Sequence, residues 1–476
     1  MTTTPNNRIL EAARDAWLAA ADFRHRRDRY KRYTYGDQWS DIVTDHNGFQ
    51  LKEADLIARH GRKPLTNNMI RQIVKTVIGR YRSTSREDGS YSADSQRRSF
   101  IADNSLLELD CRMLEEFLIS GCAVQRIARE RRRGVSRLWI DNVDPRCLFV
   151  NAFRDPRGTD IELIGMTHDM SFPEVVHRFG GHDLTKIAEL SHVFSSSAAD
   201  RIFPTHSSVG ETDSSFDDFF TAPPGRCRVI QVWTLDSRNS LICHDSQEGM
   251  AYKLSDTDAS RASLSNLDEL RRRTGGKGVT RRSSVDFVWR CRWFAPDGTL
   301  LAAYDSPYAH RSHPFALKLY PLTDGEVHSF VEDVIDQQRC INRMIVLIDH
   351  IIGSSAKGVL LFPQNQKPSH VDWLDIADAW SRADGVIPIT GNAPHLPTQI
   401  VASTKDLGAY ELLSLQMKLF DNISGVSDVI AGRNISPSTA SSVYESQLRN
   451  SVVALADLID TFASFRSDRD LKAENS

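Results

Sequence analysis

Few side chains in this chain carry types and spacings that could do chemistry. His310 and His313 stand three apart in YAHRSHPF, a spacing from which two imidazoles can share a metal, but no third ligand lies close by and the pair reads as structural. Asp217 with Asp218, and Asp333 with Asp336, could bind a cation or divide acid and base roles. Their spacing is that of solvated loop and helix carboxylates. Arg129, Arg131, Arg132 and Arg133 crowd one turn and could meet phosphate, although an exposed turn of arginines is ordinarily just solvated. The cysteines number seven, are scattered and contain no C-x-x-C pair, so reduced core thiols are expected and not zinc or a disulfide framework. No phosphate-binding G-x-x-x-x-G-K-[ST], dinucleotide G-x-G-x-x-G, zinc H-E-x-x-H or nucleophile G-x-S-x-G occurs in a usable context. The expectation is no enzyme, no metal and no cofactor.

The elements that would position these groups fall into three stretches. The first third reads as helical: NRILEAARDAWLAAADFRHRRDRYKRY places Ile9, Leu10, Ala13, Trp17 and Ala20 at helical spacing, then turns basic from Arg24 to Arg32, as a solvated helix end does. TNNMIRQIVKTVIGRYR carries an apolar stripe of Ile70, Ile73, Val74, Val77 and Ile78, and a further helix is expected from Ser105 to Ser120. Beyond Gly121 the period shortens to that of strands. AVQRIARERRRGVSRLWIDNVD reads as a hairpin, and so does VDFVWRCRWFAPDGTLLAAYDSPY, whose Pro296, Asp297 and Gly298 supply the turn. Two polar stretches, about 181–226 and 237–284, read as loop-rich insertions in one sheet. From Glu326 helices return.

At 476 residues the chain is too long for one core, and two or three domains or an elongated subunit are expected. Apolar residues make up 40% and charged ones 25%, the balance of a globular protein. A formal charge of −3 rules out global basicity as a sign of nucleic acid, leaving local patches. The N-terminus lacks the pattern of a secretory signal, and the best apolar run, Met344 to Ile348, is stopped by Asp349 and His350, so a soluble intracellular product with no membrane contact is expected.

EDVIDQQRCINRMIVLIDHIIG, Glu332 to Gly353, is the hardest stretch to place, because its apolar surface is wider than one packing partner requires. Val331, Val334, Ile341, Ile345, Ile348 and Ile352 repeat at three or four residues, and Met344, Leu347 and Ile351 widen the stripe. A short β-prone connection follows, then the helix VDWLDIADAWSRADG and the Pro/Gly loop GVIPITGNAPHLPTQ. A helix from about Thr404 to Ile423, bent at Gly408, precedes a terminal helix with a seam of Tyr444, Leu448, Val452, Leu455, Ile459 and Phe462.

This order resembles that of the portal proteins of tailed bacteriophages. YGDQW, RKPLTNNMIRQIVKTVIGRYR, VDPRCLFVN with RDPRG, the lead-in DSPYAHRSHPFALKLYPLTDGEVHSF and the closing ISGVSDVIAGRNISPSTASSVYESQ each look like the corresponding part of portals, from about Tyr33 to Phe465. The resemblance implies an α+β portal fold in a ring-forming subunit. A wing body would span 1–325, a first stem helix 326–353, a clip 354–370, a second stem helix 371–384, a tunnel-loop region 385–402, and a bent helix with C-terminal wing or crown helix 403–476. It further implies a homo-oligomer of about a dozen copies, a dodecamer, around double-stranded DNA at one capsid vertex. The implied partners are the terminase large subunit, major capsid and scaffolding proteins and the head–tail adaptor. The place implied is the virion, and the host cytoplasm during assembly.

By the same mapping Asn392, His395 and Gln399 would face the DNA channel; Lys357, Val359, Leu360, Leu361, Phe362 and Lys367 would dock partners at the clip; and Asp336, Arg339, Arg343, Ile345 and Ile348 would lie between stem helices of neighbouring copies. The competing reading is a nucleic-acid processing enzyme in which the arginine turn grips backbone and an acidic cluster holds metal. A third is a monomeric scaffold protein.

Overall fold

The computed structural model describes residues 5–87, 95–132, 134–181, 183–199, 218–355, 359–364, 367–381, 387–389, 397–400, 408–426 and 441–476. The first elements are α1 (Pro5–Ala19), α2 (Ala21–Tyr35), β1 (Ile42–Thr44), β2 (Gln50–Lys52), α3 (Glu53–Arg59), α4 (Met69–Glu87), α5 (Ser95–Asn104) and α6 (Leu106–Ser120). Then follow β3 (Cys122–Arg132), β4 (Val135–Asn142), β5 (Leu148–Val150), β6 (Leu163–Met170), α7 (Phe172–Val175), α8 (Leu184–Ala199), β7 (Cys227–Asp245), β8 (Met250–Ser255), α9 (Asp258–Arg273) and β9 (Val279–Phe294). The rest are β10 (Leu300–Asp305), β11 (Phe315–Leu319), β12 (Pro321–Thr323), β13 (Glu326–Val327), α10 (Glu332–Ser355), β14 (Val359–Leu361), α11 (Trp373–Ser381), β15 (Thr398–Ile400), α12 (Ala409–Ser424) and α13 (Ser441–Glu474). Helix and strand are mixed along the chain, as the α+β expectation requires. Two compact units emerge: one of Met1–Asp28, Arg82–Ser329 and Asp457–Ser476, the other of Arg29–Tyr81 and Phe330–Ala456.

The first unit is built on an antiparallel sheet of order β10-β9-β7-β6-β5, with β8 added to β7. Both of its faces are covered, and RVIQVWTL in β7 is accordingly buried almost throughout. Ile230 and Val232 face Leu10, Ala13 and Trp17 of α1. Val229 and Trp233 point the other way, into a core with Trp289, Cys291 and Trp293. Gly165 on β6 is required by close approach, since a Cβ there would sit 2.2 Å from the Gln231 carbonyl and 2.4 Å from the Phe149 ring. A second sheet, β11-β3-β4, contains the arginine hairpin. Gly121 ends α6 at φ 72°, its N–H returning to the Phe117 carbonyl at 2.8 Å, and turns the chain directly into β3.

Three expectations change. The first helix breaks at Ala20, where Arg24 donates to the Trp17 carbonyl at 2.6 Å and stacks on the Trp17 ring, taking an acceptor the helix would otherwise use. The 181–226 stretch contains α8, whose Leu190 and Phe194 reach the core between polar neighbours that dilute the pattern. The 237–284 stretch is regular too: the outer half of β7, β8, α9 and the start of β9 enclose a small core of Leu241, Cys243, Leu264 and Val279.

The second unit holds the β1–β2 hairpin, α3, most of α4, and α10, which packs along α12. Gly408 lies at the N-terminus of α12 in the left-handed region, φ 57°, and begins that helix instead of bending it. The residues 404–407 expected to precede it lie outside the described residues.

Candidate subunit-contact surface

The surface is organised by α10. Its buried face comprises Val334, Ile335, Ile341 and Val346, but two carboxamides stand in the middle of it, Gln338 fully buried and Asn342 nearly so. Gln338 Oε1 accepts from the N–H groups of Met69 (2.9 Å) and Ile70 (3.2 Å), capping α4, while its Nε2 donates to the Asn67 carbonyl (2.6 Å) and Asn342 Oδ1 (3.0 Å). Asn342 accepts from Asn67 N (3.0 Å) and donates to Gln38 Oε1 (2.5 Å). A helix start 270 positions earlier in sequence is thus completed by the side chains of α10, and nothing in the local pattern of EDVIDQQRCINR announces it.

The opposite face of α10 forms a groove of about 390 Å³ lined by Asp336, Arg339, Cys340, Arg343, Met344 and Leu347. Its two arginines are held by one acid of the same chain: Glu53, almost wholly buried, accepts from Arg339 Nη2 (3.1 Å) and Arg343 Nε (2.7 Å). Asp336 is exposed and has no ion pair among the described residues. Ile345 and Ile348 are half-buried, whereas Leu347 and Ile352 stand 41% and 51% exposed.

Beyond α10 the strand expected at Val359–Leu361 is present and pairs within the chain, Val359 with Ile400, Leu360 with Gln399 and Leu361 with Thr398. Gln399 therefore lies in a strand beside Leu360. Phe362 meets Trp373 edge-on at 6.0 Å, and Lys367 lies 5.7 Å over the same indole. Lys357, Asn392 and His395 lie outside the described residues. On α11, Ile376 is buried while Leu374 is 75% exposed. On α12 Phe420 and Ser424 are buried, and Tyr410, Leu412, Leu415, Met417, Leu419 and Ile423 are exposed.

Several of the groups that suggested chemistry are committed elsewhere. Arg132 pairs with Asp141 and, at 3.0 Å, with Glu130; Arg126 pairs with the same two acids. Both acids are held below the usual carboxylate range by these arginines against the effect of burial, and the Arg132 guanidinium is correspondingly pushed up by Asp141. Arg132 is thus neutralised within the hairpin, whereas the exposed Arg129 and Arg131 reach only the backbone oxygens of Ser476 and Gly134, and Arg133 lies outside the described residues. The basic run of α2 is no solvated end either, for Arg27 is 2% exposed and pairs with Glu116 at 2.7 Å and Asp144 at 3.4 Å. His313 is buried against Trp289, and His310 stacks on Tyr308; each Nδ1 accepts a backbone N–H, from Phe315 and Ser312 respectively. Burial pushes both imidazoles down, His310 to about 4, with nearby Lys472 adding to the effect. Among the described residues no three metal-type side chains gather and no helix is long and apolar enough to cross a membrane.

The model of the phage P22-like portal protein family matches this chain over residues 115–468. No protein of curated function matches it.

Proposed function

The chain belongs to the phage P22-like portal protein family, a structural family of the bacteriophage virion, and from that premise we propose that copies of it close into a ring around a DNA channel at one capsid vertex. In this reading α10 and α11 are stem helices, β14 with Phe362 and Lys367 is the clip, and Gly385 to Gln399 is the tunnel segment, whose last residues pair with β14. The clip docks the terminase during packaging and head–tail adaptors afterwards; DNA leaves by the same channel. Energy for packaging comes from the ATP-driven partner. The segment Gly385 to Gln399 contains no Lys or Arg, which suits a conduit, because every phosphate neutralised would strengthen the grip on DNA that must slide.

The observation that carries the reading is the apolar exposure of α12, together with Leu347 and Ile352 of α10. A monomer seldom leaves a large apolar patch exposed, and a ring with heterologous contacts covers the stripe of Leu412, Leu415, Leu419 and Ile423 with a neighbour's flank. Arg339 and Arg343, already bound to Glu53, order the α10 face, and Asp336 is left to meet a neighbouring copy. Ile345 and Ile348 are half-buried within the chain and so serve the fold as well as the seam. The test is mass in solution by native mass spectrometry and light scattering. A ring-sized particle is expected, and Leu412→Asp with Leu415→Asp should reduce it to single chains of unchanged helicity. A wild-type chain that stays single at high concentration overturns the proposal.

A further inference from the structure

β9 pairs with β7 along its whole length, Val279–Phe294 against Ile230–Asp245, without a register shift. Its outer side is covered at both ends and, among the described residues, nowhere between. At one end Ser306 N–H donates to the Trp289 carbonyl at 2.8 Å, where pairing with β10 begins. At the other end the Val279 N–H donates to Asp268 Oδ1 at 2.9 Å. Successive residues of a strand turn their polar groups to alternate edges, so the N–H and C=O of Arg281, Ser283 and Val285, and the C=O of Phe287, share the outward side of Val279 and Trp289. The Phe287 N–H turns to the Asp286 carboxylate. The open window runs about 20 Å, room for a strand of about six residues at about 3.4 Å each.

Open edges are ordinarily blunted by proline, a bulge or charged side chains; this window has the charges of Arg281, Arg282 and Asp286, yet beside them Val285 is 58% and Phe287 66% exposed. They lie on the face of the ribbon that Leu241 and Cys243 share, beyond the part that α9 covers. On the other face is Arg282, exposed and without an acid partner among the described residues; Lys277, in the loop before β9, is likewise exposed and unpaired. The nearby acids are already used: Asp268 by Arg281, Asp245 by Arg271 and Asp286 by Lys253. From Leu270 to Val285 the chain has six cationic side chains and no acid.

We propose that Arg281–Phe287 is a strand-addition site for an extended partner peptide in which apolar and acidic residues alternate. Main-chain bonds form at the odd-numbered residues, apolar side chains of the peptide sit opposite Val285 and Phe287, and its carboxylates meet Arg282 and Lys277. Duplex DNA would use the cations but neither the backbone edge nor the apolar pair. The site is independent of ring formation and of the α12 surface.

The probe is a fluorescein-labelled peptide of alternating valine and glutamate, titrated against the full chain and read by fluorescence anisotropy. Ser283→Pro should weaken binding at least tenfold, since its N–H points outward and proline there breaks no bond to β7. Phe287→Lys should do the same, and Arg282→Glu should weaken binding several-fold, with both melting curves unchanged. Equal binding by the wild type and the edge variants overturns the proposal. So does equal binding of a valine–lysine peptide, displacement of the probe by a duplex oligonucleotide, or a wild-type dimer that Ser283→Pro dissolves, which would make a second copy the occupant.

Discussion

Asp110 and Arg469 show how residues far apart in sequence acquire one role. Both are almost wholly buried, Arg469 Nη1 lies 2.5 Å from Asp110 Oδ1, and Gln125 completes the site from β3. Arg469→Met should cost about 3 kcal/mol, the low end for stranding a buried charge, because Arg466 remains 3.4 Å from the same carboxylate. Chemical denaturation measures the loss, and adding Asp110→Asn should recover part of it. Three imidazoles, His313 buried and His168 and His310 half-buried, set a pH dependence. Burial lowers His168 to about 3 and His310 to about 4, and holds His313 well below its ordinary value. Between pH 6.5 and about 4 the unfolded chain therefore binds protons that the folded chain refuses, and stability falls as pH falls. Shifted carboxylates such as Glu130 and Asp141 add their loss only at lower pH. Melting temperature should drop measurably from pH 7 to pH 5, and His168→Gln should flatten that limb.

At the scale of elements, the informative case is a cap supplied from a distance. α4 begins without a side chain of its own at both leading N–H groups, and Gln338 on α10 takes them. Gln338→Leu keeps the volume but strands the buried Ile70 N–H and leaves the Met69 N–H only the Asn67 carbonyl, so a loss of about 1–3 kcal/mol is expected from the unsatisfied group. It should appear as faster hydrogen exchange at Met69 and Ile70. Hairpins and long helices were legible because each is a local period: β3–β4 and β9–β10 stand where alternation and turn residues put them. α8 and α9 were not, since serines and charges interrupt their stripes and only a few side chains reach a core.

For the molecule as a whole, association and stability should be linked. If neighbouring copies cover α12, the ring binds the folded state alone, and the melting temperature must rise with protein concentration. Differential scanning calorimetry over a hundredfold range of concentration checks this, with the Leu412→Asp, Leu415→Asp variant as the concentration-independent reference. The family assignment rests on the extended match over residues 115–468.

The sequence by itself determined the main hairpins and long helices, the portal resemblance and an apolar surplus around Glu332 to Gly353, because those follow from periodicity and composition along a continuous chain. Tertiary structure alone decided which charges are spent. Arg27, Arg343 and Glu53 look like surface groups in one dimension, and their pairing depends on elements brought together from distant positions. It also moved the surplus, burying much of α10 and leaving α12 bare, since a helix's apolar stripe says how much it must hide but not which neighbour will hide it.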